Sequence, residues 1–555
     1  MDIATKLSDL RADLSQCRRA ITYRGGEISA TAGFKEVSER ISSLPASSSI
    51  GTVIDEDVSI QKTVPVDSTK YCYLKSLGGM TYKCNNLLTY PYSQTTFTRN
   101  GITFTDNGDG TITVNGTAES RVSFSFKNKS FTLPKGKYYA SICPSGGSLS
   151  TYHSFVSVWN NDTWVTEVND IGNGVVLDVT NRTYTELRVS IYIEAGTVCN
   201  NLVVKPMLNA GTTALPYEDY YEGLRDTKPT AIKVSGANLL DFEAALKYWR
   251  MSYTKEGNSL TTNASFSNAY SYPYKFTDNA SICTISLSSV SVIGLGGARI
   301  DIGYINEEGS FTRKGVLTLT GENISYTSTS EANAIRLNFS SATGEAISVT
   351  FNELRINRGS ASTPYQPYHE PITYPIPEAL QGTGKGVEGA IDTIDFENGK
   401  QIIKTHTVVF NGTETWHVGG TKDGKYRNYT KLPFSTAFTA NDVAAPLICN
   451  LYDAVSESDT YSRIKGASIS PNGYIRIYDS LYDTGDISLW KAHLAELYAS
   501  GNPITVTYAL AEPTETDIDT SSFDNLIEVE GGCSLEIITD NGKEVPTTFI
   551  YQTIV

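Results

Sequence analysis

Residues 101–118 read GITFTDNGDGTITVNGTA. Whether Asp106-Asn107-Gly108-Asp109-Gly110 is a calcium loop or a tight turn decides whether metal chemistry or architecture organises this chain. A calcium loop of the EF-hand type needs oxygen ligands at positions one, three and five, glycine at six and a bidentate Glu at twelve. Counted from Asp106, positions three and five are Gly108 and Gly110, six is Thr111 and twelve is Thr117, so the pattern fails. A period of two holds instead: Ile102 and Phe104 alternate with polar residues before the turn, and Ile112 and Val114 do so after it. Asn-Gly and Asp-Gly supply the positive φ that hairpin turns require, so the stretch reads as two strands joined by a turn.

The same grammar runs through most of the chain. At 555 residues it is long enough for about three or four domains. With 45 Gly, 34 Tyr and abundant Thr and Ser, its composition favours strands and turns over helices. A net charge of -15 repels nucleic-acid backbones and anionic membranes. The opening MDIATKLSDL has no basic region followed by an apolar stretch, and no apolar run is long enough to span a bilayer. The expectation is a soluble chain assembled in the cytoplasm, without nucleic-acid binding or membrane insertion. Eight cysteines show no CxxC pair or recurring spacing, and five histidines are equally scattered. No metal or other cofactor is expected, and most thiols should be buried.

At the N-terminus, Ile3, Leu7, Leu10, Leu14, Cys17 and Ile21 follow at intervals of four, three, four, three and four. This is a heptad seam of three turns of the pattern, too short to be stable alone, so self-association is expected; a helix packed on its own domain is the alternative. Gly25-Gly26 ends it, and a second stripe, Phe34, Val37, Ile41 and Leu44, stops at Pro45.

Beyond residue 50 an internal repeat appears. LGGMTYKCNNLL, ending at Leu88, has a counterpart in IKVSGANLL, ending at Leu240; LPYEDYYEG and TPYQPYHEP close the two blocks. From Asn86 to Tyr217 is 131 positions and from Asn238 to Tyr365 is 127. Laid on the second copy, Phe104 meets Tyr253, Gly108 meets Gly257 and Asp106 meets Lys255. A turn glycine that persists while a carboxylate becomes a cation suits a hairpin and would spoil a calcium site. The remainder does not repeat. It contains two Asn-Gly hairpin candidates, IDFENGKQI and IITDNGKEV, with Glu397 and Lys400, or Asp540 and Lys543, as cross-strand charges. One helix is expected there, with Asp486 as N-cap, Ile487, Trp490, Leu494 and Leu497 as its buried stripe, and Gly501 as stop.

The chain is therefore expected to be mainly β, with tandem β-sandwich or jelly-roll modules after a short helical coiled-coil segment. The divisions are 1–45, a helical attachment segment; 46–83, a linker with short strands; 84–222 and 223–372, the two β-sandwich modules; and 373–555, a C-terminal β domain with one helix.

Signatures of P-loop, hydrolase and zinc-protease chemistry are absent: no GxxxxGK[ST], GxSxG or HExxH occurs. Asp395 and Glu397 are a carboxylate pair, but they alternate with Ile394 and Phe396 as a solvated strand face would. In PNGYIRIYDSLYD, Ile475 and Ile477 take one face of a strand and Tyr474, Arg476 and Tyr478 the other. Two phenol rings around a guanidinium would make a saccharide platform, or a subunit contact. Trp416 and Tyr426 are further candidates of the same type.

GGMTYKCNNLL, NGITFTDNGDGTITVNGTA, PYEDY, PYQPYHEP, YPIPEALQGTGKG, NPITVTYALAEPTETDI, EVEGG and VPTTFIYQT resemble stretches of tail fibre, baseplate or minor structural proteins of phages and prophages of Gram-positive bacteria. The resemblance implies a non-enzymatic, homotrimeric virion component. Its N-terminus would join other tail or baseplate proteins, its β modules would act as spacers or carbohydrate-binding units, and a distal end would bind a host cell-surface polysaccharide. A glycan depolymerase tailspike and a purely structural head fibre or baseplate spacer are the alternatives. Such proteins share no fixed set of binding residues, so no position is carried over.

Because the Asp106 turn lacks a ligand set, treating the protein with a chelator is expected to leave its melting temperature unchanged. A drop of many degrees that calcium reverses would contradict this reading.

Overall fold

The computed structural model describes residues 35–36, 53–58, 61–63, 68–126, 133, 135–142, 147–160, 163–180, 186–264, 269–270, 272–277, 281–294, 296–306, 309–341, 347–422, 424–436, 446–456, 465–529 and 531–553. The heptad seam from Ile3 to Ile21 lies outside them. The described chain is mainly β, and its helices beyond the helical pair Lys35 and Glu36 are Phe242–Tyr248, Ile487–Ala499 and a short 3-10 turn, Glu378–Leu380. No helix among the described residues is long and apolar enough to cross a membrane.

The segment read as a linker, 46–83, supplies the middle of a sheet. Ser68–Gly78 pairs antiparallel with Thr547–Thr553 on one side and with Thr393–Asp395 on the other. That eight-stranded sheet continues through Lys400–Phe410, Ile504–Asp517 and Leu447–Cys449. A second sheet orders Gln61–Thr63, Ser534–Thr539, Pro229–Ser235 and Ile372–Pro375. The two share a core in which Cys72, Leu74, Leu77 and Phe549 meet Ile232, Leu535 and Ile537. The sequence predicts short strands here but not a central one; the register shifts between Leu74 and Ser76, so that Cys72, Leu74 and Leu77 all reach the core and simple alternation breaks.

The repeated blocks hang from this frame. Met80–Lys83 pairs antiparallel with Leu224–Thr227, and the first repeat lies between them in sequence. Pro229–Ser235 pairs with Ile372–Pro375, and the second repeat lies between those. Each repeat has its own apolar cluster, one drawn from Leu88 to Leu208 and the other from Leu239 to Ile356.

A buried asparagine ties the start of each repeat to its end. Asn86, 2% exposed, accepts from the amides of Leu88 (3.0 Å) and Leu208 (3.3 Å) and donates to the carbonyls of Pro206 (3.1 Å) and Glu218 (3.0 Å). Asn238, 4% exposed, accepts from Leu240 and Ile356 (both 3.1 Å) and donates to the Gln366 carbonyl (3.1 Å). A side chain with both a carbonyl and an amide satisfies backbone donors and acceptors that burial would otherwise leave without partners.

The hairpin of residues 101–118 is formed: Ile102–Asp106 pairs antiparallel with Ile112–Thr117, and Ile102, Phe104, Ile112 and Val114 are fully buried. Both turn glycines, Gly108 and Gly110, have φ above +80°. Asp106 accepts from the Gly108 amide and the Tyr90 hydroxyl, both at 3.0 Å, and Asp109 accepts from the amide and hydroxyl of Thr111. The carboxylates are thus engaged in building the turn. Hydrogen bonds from Thr111 hold the Asp109 carboxyl below its ordinary value.

In the C-terminal part, Asp486 caps helix Ile487–Ala499 by accepting from the Ser488 amide. Trp490 and Leu494 are fully buried, and Ile487 and Leu497 pack against the same core. The expected cross-strand charges are replaced by longer-range partners. Lys400 bonds Glu515 (2.6 Å), and Lys543 bonds Glu218 of the first repeat (2.9 Å). The second Asn-Gly turn does not close a hairpin, because Ser534–Thr539 and Thr547–Thr553 belong to different sheets. Pro546 sits between them; it has no amide hydrogen for a ladder, and its carbonyl accepts from Gly78. Of the six described cysteines, all free, five are buried.

Replacing Asn86 or Asn238 by Ala leaves two buried amides without an acceptor and is expected to cost roughly 2–4 kcal/mol in the unfolding of the affected repeat. Chemical denaturation followed by tyrosine and tryptophan fluorescence reads this directly. An unchanged transition in both variants would show that the asparagines do not hold the repeats closed.

Candidate functional site

Strand Tyr474–Asp479 runs inside a four-stranded sheet ordered His417–Lys422, Lys425–Lys431, Tyr474–Asp479 and Lys465–Ile469. Alternation sends Ile475 and Ile477, both fully buried, into a core with Phe410, Trp416 and Trp490. Tyr474 and Arg476 therefore point to the other side and are partly exposed.

Register fixes their neighbours. His417 lies opposite Tyr429, Tyr429 opposite Arg476, and Arg476 opposite Ser468, which makes one row across the sheet; Lys431 lies opposite Tyr474 in the next. The rings of His417 and Tyr429 stack at 5.3 Å and 29°, and Tyr429 meets Tyr474 edge-on at 5.7 Å and 75°. The Lys431 Nζ sits 4.8 Å from the centre of the Tyr474 ring and donates to the Asn472 carbonyl. Gly419 allows this arrangement: a Cβ there would come within 2.8 Å of the Tyr429 ring. The face offers aromatic surface beside cationic donors, which can stack on the apolar side of a ring ligand and hydrogen-bond its substituents.

The five residues singled out in the sequence fall in different places. Tyr474 and Arg476 are on this face together. Tyr478 shares it by alternation but is only 1% exposed; its hydroxyl donates to Asp483 at 3.1 Å, and burial together with that carboxylate pushes the phenol up to about 12. Trp416 is 5% exposed, edge-on to Phe410 and Trp490, and its indole donates to Glu414 (3.0 Å). It is a core residue, not a surface ring. Tyr426 points to the opposite side of the sheet from Tyr429, beside Gly485. The residues that complete the face, His417, Tyr429 and Lys431, were not singled out. The alternation of KYRNYTK carried the signal for Tyr429 and Lys431, but only the register with the neighbouring strand shows that they meet Tyr474. Of the carboxylate pair, Asp395 accepts from the amides of Glu397 (2.9 Å) and Asn398 (3.0 Å) and serves the turn.

No protein-family model matches this chain, and no curated protein matches it. Among solved structures, the N-terminal CBM22-1–CBM22-2 tandem domain of Paenibacillus barcinonensis Xyn10C is 12% identical, covering 50% of this chain and 99% of that one at a TM-score of 0.16. The PBSX exported protein XepA is 13% identical, covering 43% and 83% at a TM-score of 0.12. Vicilin from Capsicum annuum is 10% identical, covering 50% and 85% at 0.12. At these scores the likenesses carry no functional argument.

Burial separates the candidates by stability. Tyr478→Ala and Trp416→Ala are each expected to destabilise the C-terminal part by about 3–5 kcal/mol, whereas Tyr474→Ala should stay within about 1 kcal/mol of the parent. Urea melts of the three variants test this. A Tyr474 variant as unstable as the other two would show that its ring is structural.

Proposed function

We propose that the chain is a homotrimeric phage virion protein of the tail-fibre or receptor-binding type, which attaches the particle to a host cell-surface glycan through the face around Tyr474. The observation that carries the site is the run of His417, Tyr429 and Tyr474 rings beside Lys431 and Arg476 on one side of one sheet. Flat aromatic faces cover the C–H face of a pyranose, and the cationic groups donate to its hydroxyls. Tyr429, Tyr474 and Arg476 are only partly exposed, which suits weak single contacts made strong by repetition: three copies on one particle raise avidity without a deep pocket. The N-terminal segment 1–45 joins the virion and trimerises through Ile3, Leu7, Leu10, Leu14, Cys17 and Ile21; the chain after it enters the frame at Val53–Val58, and the repeats, read as sandwich-type modules, are insertions in that frame and not spacers between the segment and this face. This reading needs neither enzymatic activity nor a cofactor.

The test uses the full chain, because Ser68–Gly78 lies in the middle of the C-terminal sheet and a fragment beginning near residue 373 would lack it. Light scattering should give three chains per particle. Pull-down on host cell walls should show binding that Tyr429→Ala and Tyr474→Ala each weaken by about 1–3 kcal/mol. A chain that stays monomeric at high concentration contradicts the trimer. Undiminished binding by the double variant contradicts the site and leaves the face as a subunit or surface contact. Release of new reducing ends from the polysaccharide would favour a depolymerase instead.

A further inference from the structure

One guanidinium of the second repeat stands without a hydrogen-bond partner where that repeat meets the frame. Arg358 ends the strand Arg355–Arg358, and alternation puts it on the same side as Ile356, which is fully buried in the core. Its Nη1 is closed off from solvent, and no nitrogen of the group makes a hydrogen bond or a close ion pair among the described residues. Burial holds its pKa below the ordinary arginine value, against the opposing pull of Cys283, Glu536 and Cys533. A charge withdrawn from water without hydrogen bonds is costly, so such a group calls for a partner.

The framework of the repeat does not ask for this charge. Asn357, 3% exposed, donates to the carbonyls of Arg358 (2.9 Å) and Ala361 (2.7 Å), and Asn209, 2% exposed, donates in the same way to those of Ala210 (2.9 Å) and Thr213 (3.1 Å). These matching bonds put Ala210 of the first repeat at the position of Arg358. The same turn closes around a methyl group in one repeat and a guanidinium in the other, so the guanidinium serves something besides the turn.

Arg358 lines a cleft of about 220 Å³. Lys233 and Glu536 come to it from the frame, Phe276 from the repeat, and Tyr368 and His369 from the segment that leads back to the frame. Lys233 and Glu536 lie opposite each other on paired strands, with Nζ 3.4 Å from a carboxylate oxygen, so they neutralise one another. Arg358 is the charge left over, which gives the cleft a place for one negative charge; a second would meet Glu536. Because Nη1 is the nitrogen that is closed off, the edge formed by Nε and Nη2 is the open one, and its two N–H groups match the two oxygens of a carboxylate. Phe276 and the ring of Tyr368, both partly exposed, offer carbon to the rest of the ligand. The volume is below that of drug-sized sites and limits the ligand to a few heavy atoms.

We infer that this cleft between the second repeat and the frame binds a small organic monocarboxylate on the open edge of Arg358. The site is separate from the Tyr474 face and independent of the function proposed above. Because its lining comes from both units, an occupied site ties the repeat to the frame.

The test is thermal unfolding of the full chain titrated with acetate and with lactate at constant ionic strength, with acetamide as the neutral isostere and inorganic phosphate as the more highly charged control. At least one carboxylate is expected to raise the melting temperature saturably, and acetamide and phosphate to do less. Amide hydrogen exchange read by mass spectrometry should slow with that carboxylate in peptides covering 355–358 and 534–539 together. Arg358→Met keeps the stem and should abolish the saturable shift, whereas Arg358→Lys, which keeps the charge but loses the fork, should weaken binding by roughly tenfold. No saturable effect of either carboxylate overturns the inference, as does an equal effect of acetamide, a larger saturable effect of phosphate, or a shift that survives Arg358→Met. If Arg358→Met does not fold, exchange in the parent protein decides: slowing confined to peptides outside 355–358 and 534–539 overturns it.

Discussion

The arrangement of this chain depends on one kind of hydrogen-bonding group, a buried asparagine amide that joins the first residues of a repeat to its last strand. Asn86 and Asn238 make the same bonds at corresponding positions, to the amide two residues ahead and to an amide more than a hundred residues on. Each repeat therefore leaves the frame and returns to it at nearly one point. Closing a loop of that length costs entropy that grows only slowly with length, so a whole folded unit can sit between two paired strands of the frame. With both ends of each repeat held together, the strands that carry them pair within the frame, and residues far apart in sequence build its two sheets.

That geometry also explains the charges that link the parts. Lys543, in a turn of the frame, reaches Glu218 in the first repeat, and Glu218 is 7% exposed beside the residues Asn86 binds. A charge so buried needs a partner, and the turn after Ser534–Thr539 supplies it. At the other end, the frame extends through Lys400–Phe410 and Ile504–Asp517 into a core closed by Trp490 and by the sheet that presents Tyr474. The outer face of that sheet is set by its buried one: Ile475 and Ile477 fix which way Tyr474 and Arg476 point.

What the sequence made legible was local. Alternation gave the hairpin at residues 101–118 and the inward isoleucines, capping gave helix Ile487–Ala499, and similarity between its halves gave the repeat. What it hid was long-range pairing. Ser68–Gly78 falls in a stretch read as a linker with short strands, and its place in the middle of a sheet was hidden because its partners lie more than three hundred residues away. Tyr478 and Trp416 looked like surface rings because period two assigns a side of the strand but not whether that side is covered. Tyr429 and His417 were missed because their closeness to Tyr474 is a matter of register between strands, which alternation within one strand cannot supply.

The claim on which the account rests is that the frame is one unit assembled from both ends of the chain, with the repeats inserted into it. Native-state amide hydrogen exchange across a denaturant series, read by mass spectrometry, addresses it most directly. The account predicts that peptides covering 68–78 lose protection together with peptides covering 534–539 and 547–553, at one denaturant concentration, while peptides from each repeat lose theirs in separate groups. Rapid exchange of 68–78 under conditions where 547–553 stays protected would contradict it.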